Sequence, residues 1–208
     1  MYEPTVYLVD DDIDMRESLE CLLQASGMQT CAFERADQFL HEYCPALMGC
    51  VIVDYQMPGM TGLELLERMQ IPGEDALPAI LMTAFADVPI AISAMKRGAI
   101  DLLEKPFQPE DLMAKVQEAL SRDLQRQSIR SQQTQLVKKF ERLTKRENET
   151  LELLRAGLPN KAIAAKLEIT ERAVEMRRAR IMEKIEAQSI AELFEEFAIY
   201  RKLIEPVA

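Results

Sequence analysis

Asp10-Asp11-Asp12 closes the first apolar run of the chain, Asp54 the third, Thr83 the fourth and Lys105 the fifth. Carboxylates gathered in one place repel one another, so a hard divalent cation is their natural neutraliser. Mg²⁺ takes oxygen ligands while keeping waters and binding phosphate. Beside such a cation Asp54 has the chemistry of a carboxylate nucleophile toward a phosphoryl group, with an aspartyl phosphate as product. Lys105 supplies a compact positive charge for the phosphoryl oxygens, and the Thr83 hydroxyl supplies a hydrogen bond to another. An acidic cluster that merely caps helices does not account for reactive groups at the ends of several strands together.

That chemistry needs elements that bring these residues into one place. Cys50 to Val53 is apolar with β-branching, the pattern of a strand buried on both faces, and it stops on Asp54 just before Pro58-Gly59. Thr5–Val9, Thr30–Phe33, Ala79–Met82 and Ile100–Leu103 read as four more short strands. Between them lie helical stretches. The first sets Ile13, Leu19, Leu22 and Leu23 on one side and is closed by Gly27; the second runs from Ala36 to Tyr43. The third, after Gly62, carries Leu63, Leu65, Leu66 and Met69, and the fourth runs from Val88 to Lys96, closed by Gly98. Strand and helix alternating in this way predict a parallel sheet with helices on both faces, whose ligand site lies beyond the carboxyl ends of the strands. In the order 2-1-3-4-5, strands one and three are central neighbours, and Asp10, Asp11 and Asp54 converge with Thr83 and Lys105 close by.

Residues 5 to 120 resemble a receiver domain of bacterial two-component systems. The resemblance rests on Val9-Asp10-Asp11, Asp54-x-x-Met57-Pro58-Gly59, Met82-Thr83-Ala84, Gly98-Ala99 and Lys105-Pro106-Phe107. It implies a flavodoxin-like α/β fold with Asp54 as phosphoacceptor. Asp11, Asp54 and the main-chain carbonyl of Gln56 then bind Mg²⁺, Asp10 holds it through water, and the Lys105-Pro106 bond is cis. Two positions depart from the pattern. Leu102 stands where many receivers carry the Tyr or Phe that swings inward on phosphorylation. Phe85, two residues after Thr83, is either a ring that hinders the water attacking the acyl phosphate or a core-packing residue.

From Pro109 the apolar positions Leu112, Val116, Ala119, Leu120 and Leu124 recur at helical spacing, and no Gly or Pro follows until Gly157. Arg122 to Gln135 is polar all round, after which Leu136, Val137, Phe140 and Leu143 resume a stripe. Either a flexible linker or one long helix fits; the good helix formers and missing breakers favour the helix, holding the domains apart. Thr144-Lys145-Arg146-Glu147 is a capping box, Pro159 opens a second helix, Thr170 caps a third to about Lys184, and Ser189 a fourth. The tight turn between Leu167 and Thr170 makes the middle pair a helix-turn-helix, with Val174, Ile181 and Ile185 facing inward.

Residues 140 to 204 resemble the DNA-binding domain of LuxR/NarL/FixJ regulators. The matching residues are Leu143-Thr144-x-Arg146-Glu147, Gly157-Leu158-x-Asn160-Lys161-x-Ile163-Ala164, Leu167-x-Ile169 and Val174-Glu175. The resemblance implies that Glu171 to Lys184 enters the major groove. Arg172, Glu175, Met176 and Arg178 are candidate base readers, whereas Lys161, Thr170, Arg177 and Arg180 are candidate phosphate contacts. The expected organisation is a receiver over 1–121, a helical linker over 122–139 and an all-α, four-helix DNA-binding domain over 140–208.

Charge is shared to match. Residues 1 to 122 carry 8 Lys/Arg against 21 Asp/Glu, and residues 123 to 208 carry 17 against 14. No apolar run approaches membrane-spanning length and no signal peptide is read, so the expected setting is cytoplasmic, without a membrane partner. Cys21, Cys31, Cys44 and Cys50 form no C-x-x-C pair and read as reduced, packed thiols; His41 reads as a surface or boundary residue. The expected protein is a phosphorylation-controlled transcription regulator rather than an enzyme. Its partners are a sensor histidine kinase, double-stranded promoter DNA, a second copy of itself when phosphorylated, and RNA polymerase. An adaptor that has lost DNA affinity and a phosphatase of the haloacid dehalogenase type are the competing classes.

Overall fold

The computed structural model describes residues 3–71, 75–85 and 87–204. The chain divides into two compact units, the first ending at Ser128 and the second beginning at Ile129.

In the first unit five strands form one parallel sheet of order β2-β1-β3-β4-β5. They are β1 (Thr5–Val9), β2 (Gln29–Phe33), β3 (Gly49–Asp54), β4 (Ala79–Thr83) and β5 (Ala99–Glu104). The helices between them are α1 (Ile13–Ala25), α2 (Ala36–Glu42), α3 (Gly62–Met69) and α4 (Val88–Lys96), and α5 (Pro109–Glu141) follows β5. Because β3 is central and covered on both faces, all six of its residues are buried. Val51 and Val53 pack with Phe39, Leu65, Leu66 and Met69 of α2 and α3 on one side. Cys50 and Ile52 pack with Leu19 and Leu23 of α1 and with Leu112, Val116 and Ala119 of α5 on the other. Truncating any of these buried leucines to Ala costs about 2–5 kcal/mol.

Several strand and helix ends differ from the sequence expectation by a residue or two, since pairing partners decide them. β3 starts at Gly49 because Thr5 pairs with it across the ladder. A Cβ at Gly49 would lie 1.8 Å from the Thr5 carbonyl oxygen, and its φ of +123° suits only glycine. Other corrections concern burial. Ile13, expected on the inner side of α1, is 57% exposed, and Leu124 also faces solvent. Cys21 and Cys44 are exposed rather than packed, whereas Cys50 is buried. The polar look of Arg122 to Gln135 also misleads: Asp123 and Arg126 are buried.

The second unit contains α6 (Lys145–Arg155), α7 (Asn160–Lys166), α8 (Glu171–Ile185) and α9 (Ile190–Ile204). Thr144 and Glu147 form the capping box of α6. Phe140 and Leu143 pack with Leu151, Ile181, Ile185, Leu193 and Phe197, and Tyr200 stacks on Phe140 at 4.6 Å. A second cluster of Leu154, Ile163, Ala164 and Val174 ties α7 to α8 across the turn, where Glu168 takes a φ of 53°. No helix among the described residues is long and apolar enough to cross a membrane.

Candidate functional site

The sheet order sets the carboxyl ends of β1 and β3 side by side, and the crevice beyond them holds the reactive residues. Asp10 is 1% exposed and Asp54 8%. Lys105 Nζ stands between them, donating to Asp10 Oδ2 at 2.9 Å and to Asp54 Oδ1 at 2.6 Å. The other oxygen of Asp54 accepts from the Gln56 N–H at 2.7 Å, and Asp10 Oδ1 accepts from the Asp12 N–H at 2.9 Å. Lys105 reaches this point from a cis bond to Pro106, while its N–H donates to the Thr83 carbonyl at 2.8 Å. Asp12 itself caps α1, accepting from the N–H groups of Asp14 and Met15. Gly62, at the start of α3, permits this close fit, since a Cβ there would lie 2.3 Å from the Asp54 carbonyl oxygen.

Burial pushes the Asp54 carboxyl above the usual aspartate value; Lys105 pulls it back in part, and the charge of Asp10 adds to the rise. Burial acts on the Lys105 ammonium in the opposite sense, but hydrogen bonds and charge from Asp54 and Asp10 outweigh it and hold its pKa above the usual lysine value. Two carboxylates therefore share one ammonium, with Asp11 exposed at the mouth. The crevice keeps an excess of negative charge, and its donors are all oxygen, which suits a hard cation. Among the described residues no three acidic, Cys or His side chains are already gathered as a metal cage.

Thr83, 2% exposed, ends β4, but its hydroxyl is turned to its own loop: Oγ1 accepts from the Phe85 N–H and donates to the Phe85 carbonyl, both at 3.2 Å. The Phe85 ring is 78% exposed, which excludes the core-packing reading. Leu102 is half-buried against the cluster that contains Ala94 of α4. Sequence reasoning missed Arg16, whose Nη1 donates to the Asp10 carbonyl at 2.6 Å and so fixes the loop bearing the acids. Its place one helical turn beyond Asp12 was the available signal.

On the second unit, Val174, Ile181 and Ile185 are buried, which leaves Arg172, Glu175, Met176, Arg178 and Arg180 exposed on α8. Lys161 is exposed near the start of α7 and Thr170 caps α8, accepting from the Ala173 N–H. Arg177 differs from these residues in burial. Three residues from Val174, it falls on the inner stripe, is half-buried and donates to Thr150 Oγ1 at 3.5 Å. With Arg146, Glu149, Leu167 and Ile169 it lines a cleft of about 250 Å³. Glu147, buried beneath the first turn of α6, binds Lys184 Nζ at 2.6 Å. Burial acts to raise its pKa, but Lys184 and the Thr144 N–H and hydroxyl prevail and hold it below the usual glutamate value.

A phosphoacceptor-type crevice on a doubly wound sheet and a helix-turn-helix with a polar outer face define a two-part signalling protein. Comparison with known proteins agrees. Residues 6–117 match the response regulator receiver domain and residues 141–197 match the bacterial regulatory proteins of the luxR family. The chain is similar to the transcriptional regulatory protein FixJ of Bradyrhizobium diazoefficiens, 38% identical over 90% of this chain and 91% of that one. The FixJ of Azorhizobium caulinodans is 40% identical over 90% and 89%. Among solved structures, the response regulator StyR matches with a TM-score of 0.79 at 38% identity, covering 95% of this chain and all of that one. The chain belongs to the FixJ/NarL family of two-component response regulators, and it is a phosphorylation-controlled transcription regulator, not an enzyme.

Proposed function

We propose that a sensor histidine kinase delivers its phosphoryl group to Asp54 and that the resulting aspartyl phosphate controls binding of the second unit to promoter DNA. The observation that carries this reading is the position of Asp54: it ends a fully buried strand, in a crevice where Lys105 Nζ lies 2.6 Å away. An Asp54 oxygen attacks phosphorus, the bond to the phosphohistidine nitrogen breaks, and its electron pair leaves with the imidazole. Lys105 releases Asp54 to hold a phosphoryl oxygen, while the Gln56 N–H steadies the carboxylate. Asp11, Asp54 and the Gln56 carbonyl would hold Mg²⁺, with Asp10 acting through water, and the cation would offset the charge of the phosphoryl oxygens. The Thr83 hydroxyl leaves the Phe85 main chain for the new acceptor.

On α8 the exposed Arg172, Glu175, Met176 and Arg178 read bases, with Arg suited to guanine and Glu to the cytosine amino group. Lys161, Thr170 and Arg180 contact phosphates, and Arg177 supports α8 from its inner side. Val88, Ile92 and Met95 are exposed at helical spacing along α4, which favours dimerisation of the phosphorylated form through the α4–β5–α5 face. DNA as target implies a cytoplasmic setting.

The test is acetyl phosphate with Mg²⁺, followed by intact mass and by electrophoretic shift with genomic fragments. Wild type gains the mass of one phosphoryl group and retards DNA more strongly, whereas Asp54→Asn gains none. Labelling of Asp54→Asn removes Asp54 as acceptor, absence of any retardation favours an adaptor, and turnover of a small phosphoester favours a phosphatase.

A further inference from the structure

Two charged side chains of α5 are buried where the sequence is uniformly polar. Asp123 is fully buried and Arg126 nearly so. Asp123 Oδ1 accepts from Arg126 Nε at 2.7 Å, and its Oδ2 accepts from the Gly49 N–H, the first residue of β3, also at 2.7 Å. Arg126 spreads its other donors over main-chain carbonyls: Nη1 to Pro45 at 2.9 Å and to Asp75 at 3.1 Å, and Nη2 to Leu47. Gln127 Nε2 adds a second bond to the Leu47 carbonyl at 3.1 Å. Ion pairing alone does not explain such a burial, because desolvation offsets most of what a buried pair gains. Here the pair also bonds main-chain groups of two loops, among them the buried N–H of Gly49, which would otherwise be left unpartnered.

Past Gln127 the helix changes character. Ser128, Ile129 and Ser131 to Gln135 are exposed, and none of the described residues from Ser128 to Gln135 belongs to a core cluster; packing resumes with Leu136 and Phe140. Arg130 is half-buried and has a partner, while the exposed remainder of the run holds its helix by local propensity, with Ser, Ile and Thr residues that are indifferent helix formers.

We propose that Asp123 and Arg126 form a clip that makes α5 part of the receiver as far as Gln127, and that Ser128–Gln135 is the joint at which the two units move. Asp54 and Gly49 are the two ends of β3, so the clip grips the phosphoacceptor strand at the end away from the crevice. The receiver thus needs residues beyond 121 to satisfy its own loops. This inference stands whether or not Asp54 is the acceptor.

Hydrogen exchange by mass spectrometry on the full chain tests it, with wild type, Arg126→Met, Asp123→Asn and Ser131→Pro. In wild type, amides of 122–127 exchange about tenfold or more slowly relative to those of 129–135. Arg126→Met and Asp123→Asn bring 122–127 and the loop 44–49 toward the fast rate while β4 stays protected. Ser131→Pro speeds exchange in 128–135 and leaves 122–127 unchanged. Equal exchange of 122–127 and 129–135 in wild type overturns the proposal, as does retained protection of 122–127 in Arg126→Met. Should that variant unfold the receiver, the wild-type comparison and Ser131→Pro still decide.

Discussion

Cys50, Cys21 and Cys44 carry the same thiol in opposite surroundings. Cys50 sits in β3, where burial, with a smaller contribution from the charge of Asp123, pushes its thiol up to about 12; Cys21 and Cys44 are exposed. The thiolate is the reactive form, so iodoacetamide at pH 8 labels Cys21 and Cys44 in the native protein and Cys50 only after denaturation, as peptide mapping will report. Phe85 supplies a second residue-scale test. Its ring has little to lose from truncation, so Phe85→Ala changes stability by less than about 0.5 kcal/mol in a urea titration. A larger loss would mean that the ring is held. Sequence pattern could place Phe85 two residues after Thr83 but not choose between shield and core, because an exposed aromatic and a buried one look alike in a loop.

At the scale of elements, the strands were the most legible part. Thr5–Val9 was anticipated to the residue, and β3 announced itself by an unbroken apolar run, since burial on both faces leaves no polar position. Ile13 was misread because helical spacing tells which residues share a face, not where that face stops being covered. Asp123 and Arg126 were illegible for a related reason: buried polar groups are chosen to satisfy main-chain atoms of other loops, and no local pattern records those partners. The helix ends carry their own tests. Glu186 caps α8 at a φ of 65°, and in its ion pair with the half-buried Lys139 the Glu186 carboxylate is itself exposed. Because a left-handed residue with a Cβ is strained and a pair with one exposed partner contributes little, Glu186→Gly stabilises the second unit by roughly 0.5–1 kcal/mol in thermal unfolding. Glu147 gives a pH dependence. Its pKa is lowered from 4.5 on folding, so its contribution is present above that value and is lost as pH falls through the lower, folded value. Lys184→Met weakens this acid-side loss, and urea midpoints between pH 3 and 6 will show it.

For the molecule as a whole, the two units carry opposite charge, and this shapes DNA binding. An exposed face bearing Lys161, Arg172, Arg178 and Arg180 is a small footprint on a chain of net charge -10. The salt dependence of affinity is then shallow, in proportion to the few phosphates contacted. Lys161→Ala lowers affinity for all sequences and reduces the salt slope by about one, whereas Arg178→Ala costs about 1–3 kcal/mol at one base position only. Titrations across salt concentration on matched and mismatched sites distinguish these outcomes, and uniform losses for both would show that the sorting of base from phosphate contacts is wrong.

The Thr83 hydroxyl has one proton, and in the resting loop that proton is directed to the Phe85 carbonyl at 3.2 Å. A neutral hydrogen bond of this kind is worth about 1 kcal/mol, which biases an equilibrium only about fivefold. If that bond were the sole latch, a sizeable minority of molecules would hold the active loop with no stimulus at all. Any background output from a promoter under such a latch would then be set by whatever else restrains α4. Thr83→Val removes both the latch and the hydroxyl that would answer a phosphoryl oxygen: it raises transcription without stimulus by up to about fivefold in a reporter strain and flattens the response to stimulus.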